Sequence, residues 1–142
     1  MYKKPPVNNQ FVELPNQSLF HEKMRSILRT DALFREMTCL QEVQVRSIIP
    51  SYGVSTHHYD WYIKEMGVVI ELHGRQHYHR TNFGSTGYEA SVKAFEGIRR
   101  RDRIKRRAAI DAGYIYVEVP YTMKDDLTAV ILLQLIEEQS YE

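Results

Sequence analysis

The feature that most constrains the fold is a pair of strand-like segments separated by a tight turn, HHYDWYIK (57–64) and GVVIELH (67–73). Both are rich in aromatic and β-branched residues, which favour strands, and Gly67 is typical of a turn. A loop of two or four residues sets Asp60 directly opposite Glu71. A loop of three residues would shift the pairing by one position and separate the two acids.

The alternation of the second segment divides its side chains between two faces of the predicted sheet. Val69, Glu71 and His73 share one face, and Val68, Ile70 and Leu72 share the other. Like charges opposite each other on a sheet are destabilising, so Asp60 and Glu71 require a cation between them or separate cationic neighbours on a solvated face. The first alternative favours Mg²⁺, which binds carboxylates, water and substrate phosphate, with Mn²⁺ as a substitute.

The residues before this hairpin predict an arm, two helices and a further strand. Residues 1–15 carry three prolines and no sustained periodicity, which indicates an extended N-terminal arm. Residues 18–29 place apolar side chains at helical spacing, and residues 30–37 predict a short second helix with Thr30 as its N-cap. Residues 40–49 (LQEVQVRSII) alternate and predict a strand that pairs with the hairpin.

The residues after the hairpin predict a helix, a strand and a helix. The long helix runs from Tyr88 or Ser91 to Ala112 and is ended by a glycine. A fourth strand follows over 114–120 (YIYVEVP), and Thr122 opens the last helix. The apolar face predicted for that helix comprises Leu127, Val130, Ile131, Leu135 and Ile136.

The order of the elements and the composition both predict one compact domain. The elements make an α/β layered (α+β) fold over residues 16–142, in which helices flank a mixed sheet of about four strands. At 142 residues and 43% hydrophobic, the chain can bury a core without disulfides, and Cys39 is its only cysteine. No apolar segment is long enough to span a membrane, and we expect an intracellular, cytoplasmic protein.

Charge interrupts the face of the long helix that should pack on the sheet. The stripe at three- and four-residue spacing comprises Phe95, Ile98, Asp102, Lys105, Ala109 and Ala112. Buried charges are rarely tolerated unpaired. Asp102 and Lys105 therefore either pair with each other at the helix edge or reach the Asp60 and Glu71 site and the phosphate bound there.

The same helix carries a basic run, RRRDRIKRR (99–107), with seven cations and one acid. A block of this kind predicts a polyanion-binding surface, and a solvated basic helix face is the alternative. The candidate nucleic-acid contacts are Arg75, Arg99, Arg100, Arg101, Arg103, Lys105, Arg106 and Arg107.

Three histidines, His73, His77 and His79, lie within seven residues and admit a zinc site. Neither a cysteine cluster nor an H-E-x-x-H helix supports zinc, which stays an alternative. His73 shares a face with Glu71, and a histidine with a pKa near 6.5 can act as a general base at neutral pH. The segment 74–87 that contains His77 is a long connection of the kind that often carries function.

The pattern D…IELHGRQHY…RD..K…AGY.YVEVP resembles the PD-(D/E)XK, or restriction-endonuclease-like, nuclease superfamily. The active site of that superfamily is an Asp on one strand and Glu-x-Lys on the next. More closely, the pattern is similar to the branch that contains very short patch repair endonucleases and the EDxHD homing endonucleases. The resemblance covers residues 18–120. Leu72 stands where the repair enzymes have threonine, and the cysteines of their structural zinc site are missing, which counts against mismatch-specific repair.

The resemblance implies a role for each of six residues. Asp60 is the central metal-binding acid, Glu71 is the second metal ligand, and His73 stands where most of the superfamily has lysine. The other three are His77 near the second catalytic histidine of the branch, Asp102 near its late acid, and Glu22 near the acid of its first helix.

The expected activity is that of a Mg²⁺-dependent DNA endonuclease that leaves 5′-phosphate and 3′-hydroxyl ends. In it, His73 is the base and His77 contacts the leaving group or the phosphate. DNA is the expected partner of a monomer or homodimer, and the small size fits a phage or mobile-element setting. Two alternatives stay open: a catalytically inactive nuclease-like module that binds nucleic acid, because position 73 lacks the lysine, and a zinc-stabilised interaction domain.

Overall fold

The computed structural model describes residues 18–74 and 88–140. The helices are α1 (Leu19–Thr30), α2 (Val45–Ile48), α3 (Tyr88–Asp111) and α4 (Ala129–Ser140), and the strands are β1 (Cys39–Gln44), β2 (His58–Ile63), β3 (Val68–His73) and β4 (Ile115–Pro120). The arm predicted over residues 1–15 lies outside the described residues, as does all but the first residue of the connection 74–87.

The four strands form one mixed sheet in the order β1-β2-β3-β4, with helices on both faces, which confirms the predicted fold class. The first three strands are antiparallel and β4 is parallel to β3. A 3₁₀ turn over Lys64–Met66 and Gly67, whose φ is 63°, make a four-residue loop. Trp61 therefore pairs with Ile70, which is the predicted register of the hairpin.

Each face of the sheet has its own apolar core. Helices α1 and α4 pack on the face that carries Val68, Ile70 and Leu72, and these three residues share one face as predicted. The opposite face carries Val69 and packs against α2 and Ala109 of α3. No helix within the described ranges has the length and apolar character needed to cross a membrane.

Strand β1 is shorter than the predicted strand 40–49, because the chain turns into α2 at Val45. The backbone N–H of Val45 donates to the carbonyl of His57 at 2.9 Å, which ends the regular ladder. Val45 and Ile49 are buried in the α3-side core at helical i, i+4 spacing. The two-residue period of a strand was therefore wrong for the second half of this segment, which has the spacing of a helix.

The short second helix and its Thr30 cap were also misplaced. Thr30 is the last residue of α1, and its hydroxyl donates to the Ser26 carbonyl at 2.7 Å. The side chain of Asp31 instead accepts from the backbone N–H groups of Leu33 and Phe34. These contacts organise a single 3₁₀ turn over Phe34–Glu36 rather than an α-helix.

The last helix begins later than predicted. Thr122 lies in a 3₁₀ turn, and α4 begins at Ala129, where the Thr128 hydroxyl accepts from the N–H of Ile131 at 3.2 Å. Val130 is 64% exposed, so it does not belong to the apolar face predicted for this helix. Helix α3 was predicted well: it ends before Gly113, whose φ is 89°, although Ala112 is exposed rather than packed.

Candidate active site

A polar cleft of about 570 Å³ opens where β2 and β3 separate beneath α3. Its ionisable lining comprises His21, His57, His58, Asp60, Glu71, Arg101, Asp102 and Lys105. These side chains come from α1, the β2–β3 hairpin and α3, so the cleft exists only in the folded chain. The structure thus brings the predicted acids Asp60, Glu71 and Asp102 to one opening.

The side chain of Asp60 links the two strands at the mouth of the cleft. The β2–β3 ladder includes the pair Trp61 and Ile70, and beyond it the Asp60 Oδ2 atom accepts the backbone N–H of Leu72 at 2.7 Å. A side-chain carboxylate therefore satisfies a donor that a strand carbonyl would otherwise satisfy. One oxygen of Asp60 is engaged in this bond.

Glu71 is a buried carboxylate that is paired with a lysine. It is 3% exposed, and its Oε1 atom lies 3.0 Å from Nζ of Lys105, which is 7% exposed. Burial raises the pKa of Glu71 to about 8, the nearby charge of Asp60 adds to the rise, and Lys105 opposes it. Glu71 is therefore a carboxyl group whose ionisation is adjustable near neutral pH.

Lys105 is anchored through both its side chain and its backbone. Its ammonium donates to the His58 carbonyl at 2.9 Å as well as to Glu71, and its carbonyl accepts the Tyr59 hydroxyl at 2.6 Å. The charged residues of the α3 stripe thus reach the acid site, as one of the two sequence alternatives proposed. The sequence also predicted Lys105 as a nucleic-acid contact, and its position in the apolar stripe was the signal for a buried role.

His73 lies behind Glu71 rather than in the open cleft. It is 2% exposed, and its Nδ1 atom donates to Oε1 of Glu118 at 2.6 Å, because a carboxylate only accepts. Its Nε2 atom lies 3.9 Å from Oε2 of Glu71 and 3.8 Å from Oδ1 of Asp102. His73 lines a neighbouring cavity of about 230 Å³, so its imidazole faces Glu71 from the side away from the cleft.

One further predicted catalytic residue, Glu22, is not at the cleft. Glu22 is exposed on α1 and does not line it, whereas its neighbour His21 does. His77 and Arg75 lie outside the described residues. The helical periodicity of α1 did not distinguish His21 from Glu22, because neither belongs to the apolar stripe.

Sequence reasoning missed His21, which lines the cleft, and Glu42, which lies near His21 and Asp60. His21, Glu42 and Asp60 each offer one ligand atom, and these atoms lie within 4.8 Å of one another. Glu42 has a φ of 53°, which is unusual for a residue with a side chain. Burial raises the pKa of Glu42, and the charge of Asp60 raises it further. No sequence pattern predicts a positive φ in the middle of a strand.

The basic run encircles α3 instead of forming one track. Arg101 lines the main cleft, Arg99 and Arg106 line the cavity beside His73, and Arg100 and Arg107 line a third cavity of about 610 Å³ next to α2. Arg107 also pairs with Asp111 at 3.2 Å. The cations therefore present positive charge on several sides of the helix.

The fold and the cleft define an α+β protein with a mixed four-stranded sheet and a buried acid–lysine pair at a strand divergence. No family model and no solved structure matches the chain. The uncharacterized protein 033L of Invertebrate iridescent virus 3 is 34% identical over 65 residues, which are 46% of this chain and 31% of the viral protein. The match thus spans about a third of that relative.

Proposed function

We propose that the protein is a metal-dependent DNA endonuclease that hydrolyses phosphodiester bonds to 5′-phosphate and 3′-hydroxyl ends. The observation that carries the proposal is the convergence of Asp60, Glu71 and Lys105 on one open cleft. An Asp on one strand, a Glu on the next and a lysine is the set that the PD-(D/E)XK resemblance implies. Here α3 supplies the lysine, and His73 occupies the strand position where the superfamily has it.

The residues of the cleft fit a hard divalent cation such as Mg²⁺. Asp60 uses one oxygen for the Leu72 N–H, and the pKa of Glu71 is raised first by burial and then by the nearby charge of Asp60. A cation between the two carboxylates relieves their repulsion, and carboxylate oxygens with water are the ligands that Mg²⁺ prefers. When bound, the metal would polarise the scissile phosphate and lower the pKa of the attacking water.

The protein side chains contribute orientation and charge. Lys105 has three N–H donors, two of which bond to Glu71 and the His58 carbonyl, so the third is available to a phosphate oxygen or to the attacking water. Burial and the charge of Asp60 raise the pKa of Glu71 in the metal-free protein, and a cation bound between the two acids would lower that pKa and favour the carboxylate. In this proposal Glu71 would accept the proton of the attacking water in place of His73, and Lys105 would orient that water or the phosphate.

His73 acts through Glu71 in this proposal. Its bond to Glu118 fixes the ring, and Nε2 then faces the Glu71 oxygen that does not bond to Lys105. The ring thereby limits the positions that the Glu71 carboxylate can adopt. His73 is accordingly a positioning residue, since it is buried away from the space where substrate would lie.

The test is incubation of purified protein with supercoiled plasmid, single-stranded DNA and RNA, each with Mg²⁺, Mn²⁺ or EDTA. We expect nicking or linearisation of DNA that EDTA abolishes. Asp60→Asn is the informative variant, because an amide oxygen can still accept the Leu72 N–H and preserve the fold. Glu138→Gln, at an exposed position of α4, is the matched control.

The other outcomes separate the alternatives. DNA binding without metal-stimulated cleavage of any substrate would identify an inactive nuclease-like module and contradict the proposal. Stoichiometric zinc, with loss of the fold in chelator, would identify a zinc-stabilised domain. Cleavage by Asp60→Asn at the wild-type rate would mean that a different site, or a contaminant, cuts the DNA.

A further inference from the structure

We infer that His21, Glu42 and Asp60 form a mixed nitrogen and oxygen site for a transition-metal ion such as Mn²⁺ or Zn²⁺, distinct from the proposed Mg²⁺ site of Asp60 and Glu71. The three residues come from α1, β1 and β2, and one ligand atom from each lies within 4.8 Å of the others. Three protein ligands on one side of an ion leave further positions for water or substrate.

The backbone of β1 is distorted where it supplies Glu42. Gln41 pairs with Trp61 and Val43 pairs with Tyr59, so Glu42 lies across the ladder from Asp60. Trp61 packs in the α1-side core, whereas Val43 and Tyr59 both pack in the α3-side core, so the side-chain alternation breaks at this pair. The positive φ of Glu42 is the conformational cost of that break, and it accompanies the approach of its carboxylate to Asp60 and His21.

The imidazole of His21 supports a metal more directly. Its Nδ1 atom is buried and has no hydrogen-bond partner within residues 18–74 and 88–140. A buried ring nitrogen without a partner is costly, and coordination of a metal ion through that nitrogen would remove the cost. His21 also lines the same cleft as Asp60, so an ion can enter from solvent.

The donor set selects the kind of metal. Imidazole suits Zn²⁺, Fe²⁺ and related ions, and carboxylates also suit Mn²⁺, whereas Mg²⁺ prefers all-oxygen sites. One nitrogen and two carboxylate donors therefore favour Mn²⁺ and Zn²⁺ over Mg²⁺. Asp60 belongs both to this site and to the proposed Mg²⁺ site. A metal ion bound by His21, Glu42 and Asp60 would therefore hold the Asp60 side chain in place for the Mg²⁺ site.

This site does not depend on the proposed nuclease activity, because metal binding is measured without DNA. The probe is Mn²⁺ added to metal-free protein, with affinity from the loss of the free-ion electron paramagnetic resonance signal. Electron spin echo modulation of the bound ion then reports whether a nitrogen is coordinated. We expect bound Mn²⁺ with a clear ¹⁴N coupling, and we expect Zn²⁺ to displace this Mn²⁺ at a lower concentration than Mg²⁺ does.

Variants assign the nitrogen to His21. His21→Ala should lose the ¹⁴N coupling, whereas His58→Ala and Glu71→Gln should keep it, because neither of those residues belongs to this donor set. Glu42→Gln should weaken Mn²⁺ binding by at least about tenfold. A loss of about tenfold is already typical when a residue that only orients a metal ligand is replaced, and Glu42 is proposed as a ligand itself. Glu36→Gln, an exposed acid on the 3₁₀ turn after α1, should change nothing.

Three results would overturn the inference, and the first two need no variant. They are the absence of Mn²⁺ binding to the wild-type protein, bound Mn²⁺ without ¹⁴N coupling, and a coupling that survives in His21→Ala. The wild-type spectrum therefore decides the question even if a substitution prevents folding. Failure of DNA cleavage, by contrast, would leave this site untouched and would contradict only the proposed function.

Discussion

Replacement of Glu71 by glutamine should make the protein more stable at alkaline pH. The pKa of Glu71 rises from an ordinary 4.5 to about 8 in the folded chain, mainly because the carboxyl is buried and also because Asp60 is near. A raised carboxyl pKa means that folding favours the protonated form. The protonated Glu71 side chain contributes its full stabilisation below about pH 4.5, and this stabilisation is lost as the pH rises to about 8.

The magnitude follows from the size of that shift. Each pKa unit corresponds to about 1.4 kcal/mol, so ionisation of Glu71 costs the folded state on the order of 4 to 5 kcal/mol by the time the pH exceeds 8. Typical domains are stable by only about 5–15 kcal/mol. Glutamine has nearly the shape of a protonated glutamate and does not ionise, so Glu71→Gln lacks this loss.

The assay is urea unfolding of wild type and Glu71→Gln at pH 5 and pH 9, in EDTA so that no metal compensates the charge. We expect similar stabilities at pH 5 and an advantage of about 4 kcal/mol for the variant at pH 9. Glu138→Gln, an exposed control, should stay within about 0.5 kcal/mol of wild type at both pH values. Parallel pH dependences for wild type and Glu71→Gln would refute the assignment of Glu71 as a buried carboxyl with a raised pKa.

Two further predictions concern the cations of α3. Lys105→Met should raise the pKa of Glu71 further, because the charge and hydrogen bond of Lys105 lower it, and the pH at which stability falls should move upward accordingly. A pH profile identical to wild type would show that the pair is not coupled. Charge reversal of Arg100 and Arg107 should weaken binding to unrelated DNA sequences and reduce the salt slope by roughly one for each phosphate that is no longer neutralised. An unchanged slope in binding titrations would mean that this part of the run is only solvated.

The hairpin could be predicted because local rules decide it. Gly67 adopts the positive φ that ends the 3₁₀ turn, the loop has an even number of residues, and the register follows. With that register, the alternation placed Glu71 and His73 on the α3 side of the sheet. The buried charges of α3 could be placed near them, since a charge in an apolar stripe requires a partner.

The detailed arrangement of the site could not be predicted, because it depends on how α1 and α3 dock on the sheet. The Tyr59 hydroxyl and the burial of Ala109 fix the position of α3, and that position brings Lys105 rather than Asp102 to Glu71. The partnership of His73 with Glu118 requires β4 to lie parallel beside β3, which is a long-range contact.

The errors in element boundaries have local causes. At α2, a helical turn that buries Val45 and Ile49 in the α3-side core replaces the predicted strand-like alternation. At α4, both Thr122 and Thr128 are suitable N-caps by residue type, and only the packing of the following turns selects the second. The positive φ of Glu42 has a different cause from these two boundary errors. It occurs where the side chains of β1 and β2 stop alternating between the two faces of the sheet.

The measurement that tests the central claim most directly is the Mg²⁺-dependent cleavage rate of supercoiled plasmid by wild type, Asp60→Asn and Glu138→Gln. Circular dichroism and a DNA-binding titration confirm that each variant is folded and binds. The account predicts that Asp60→Asn loses about 100-fold or more in rate, a loss typical of removing a group that stabilises transition-state charge, while Glu138→Gln matches wild type. Equal rates for wild type and folded Asp60→Asn, or no metal-dependent cleavage by the wild-type protein, would contradict it.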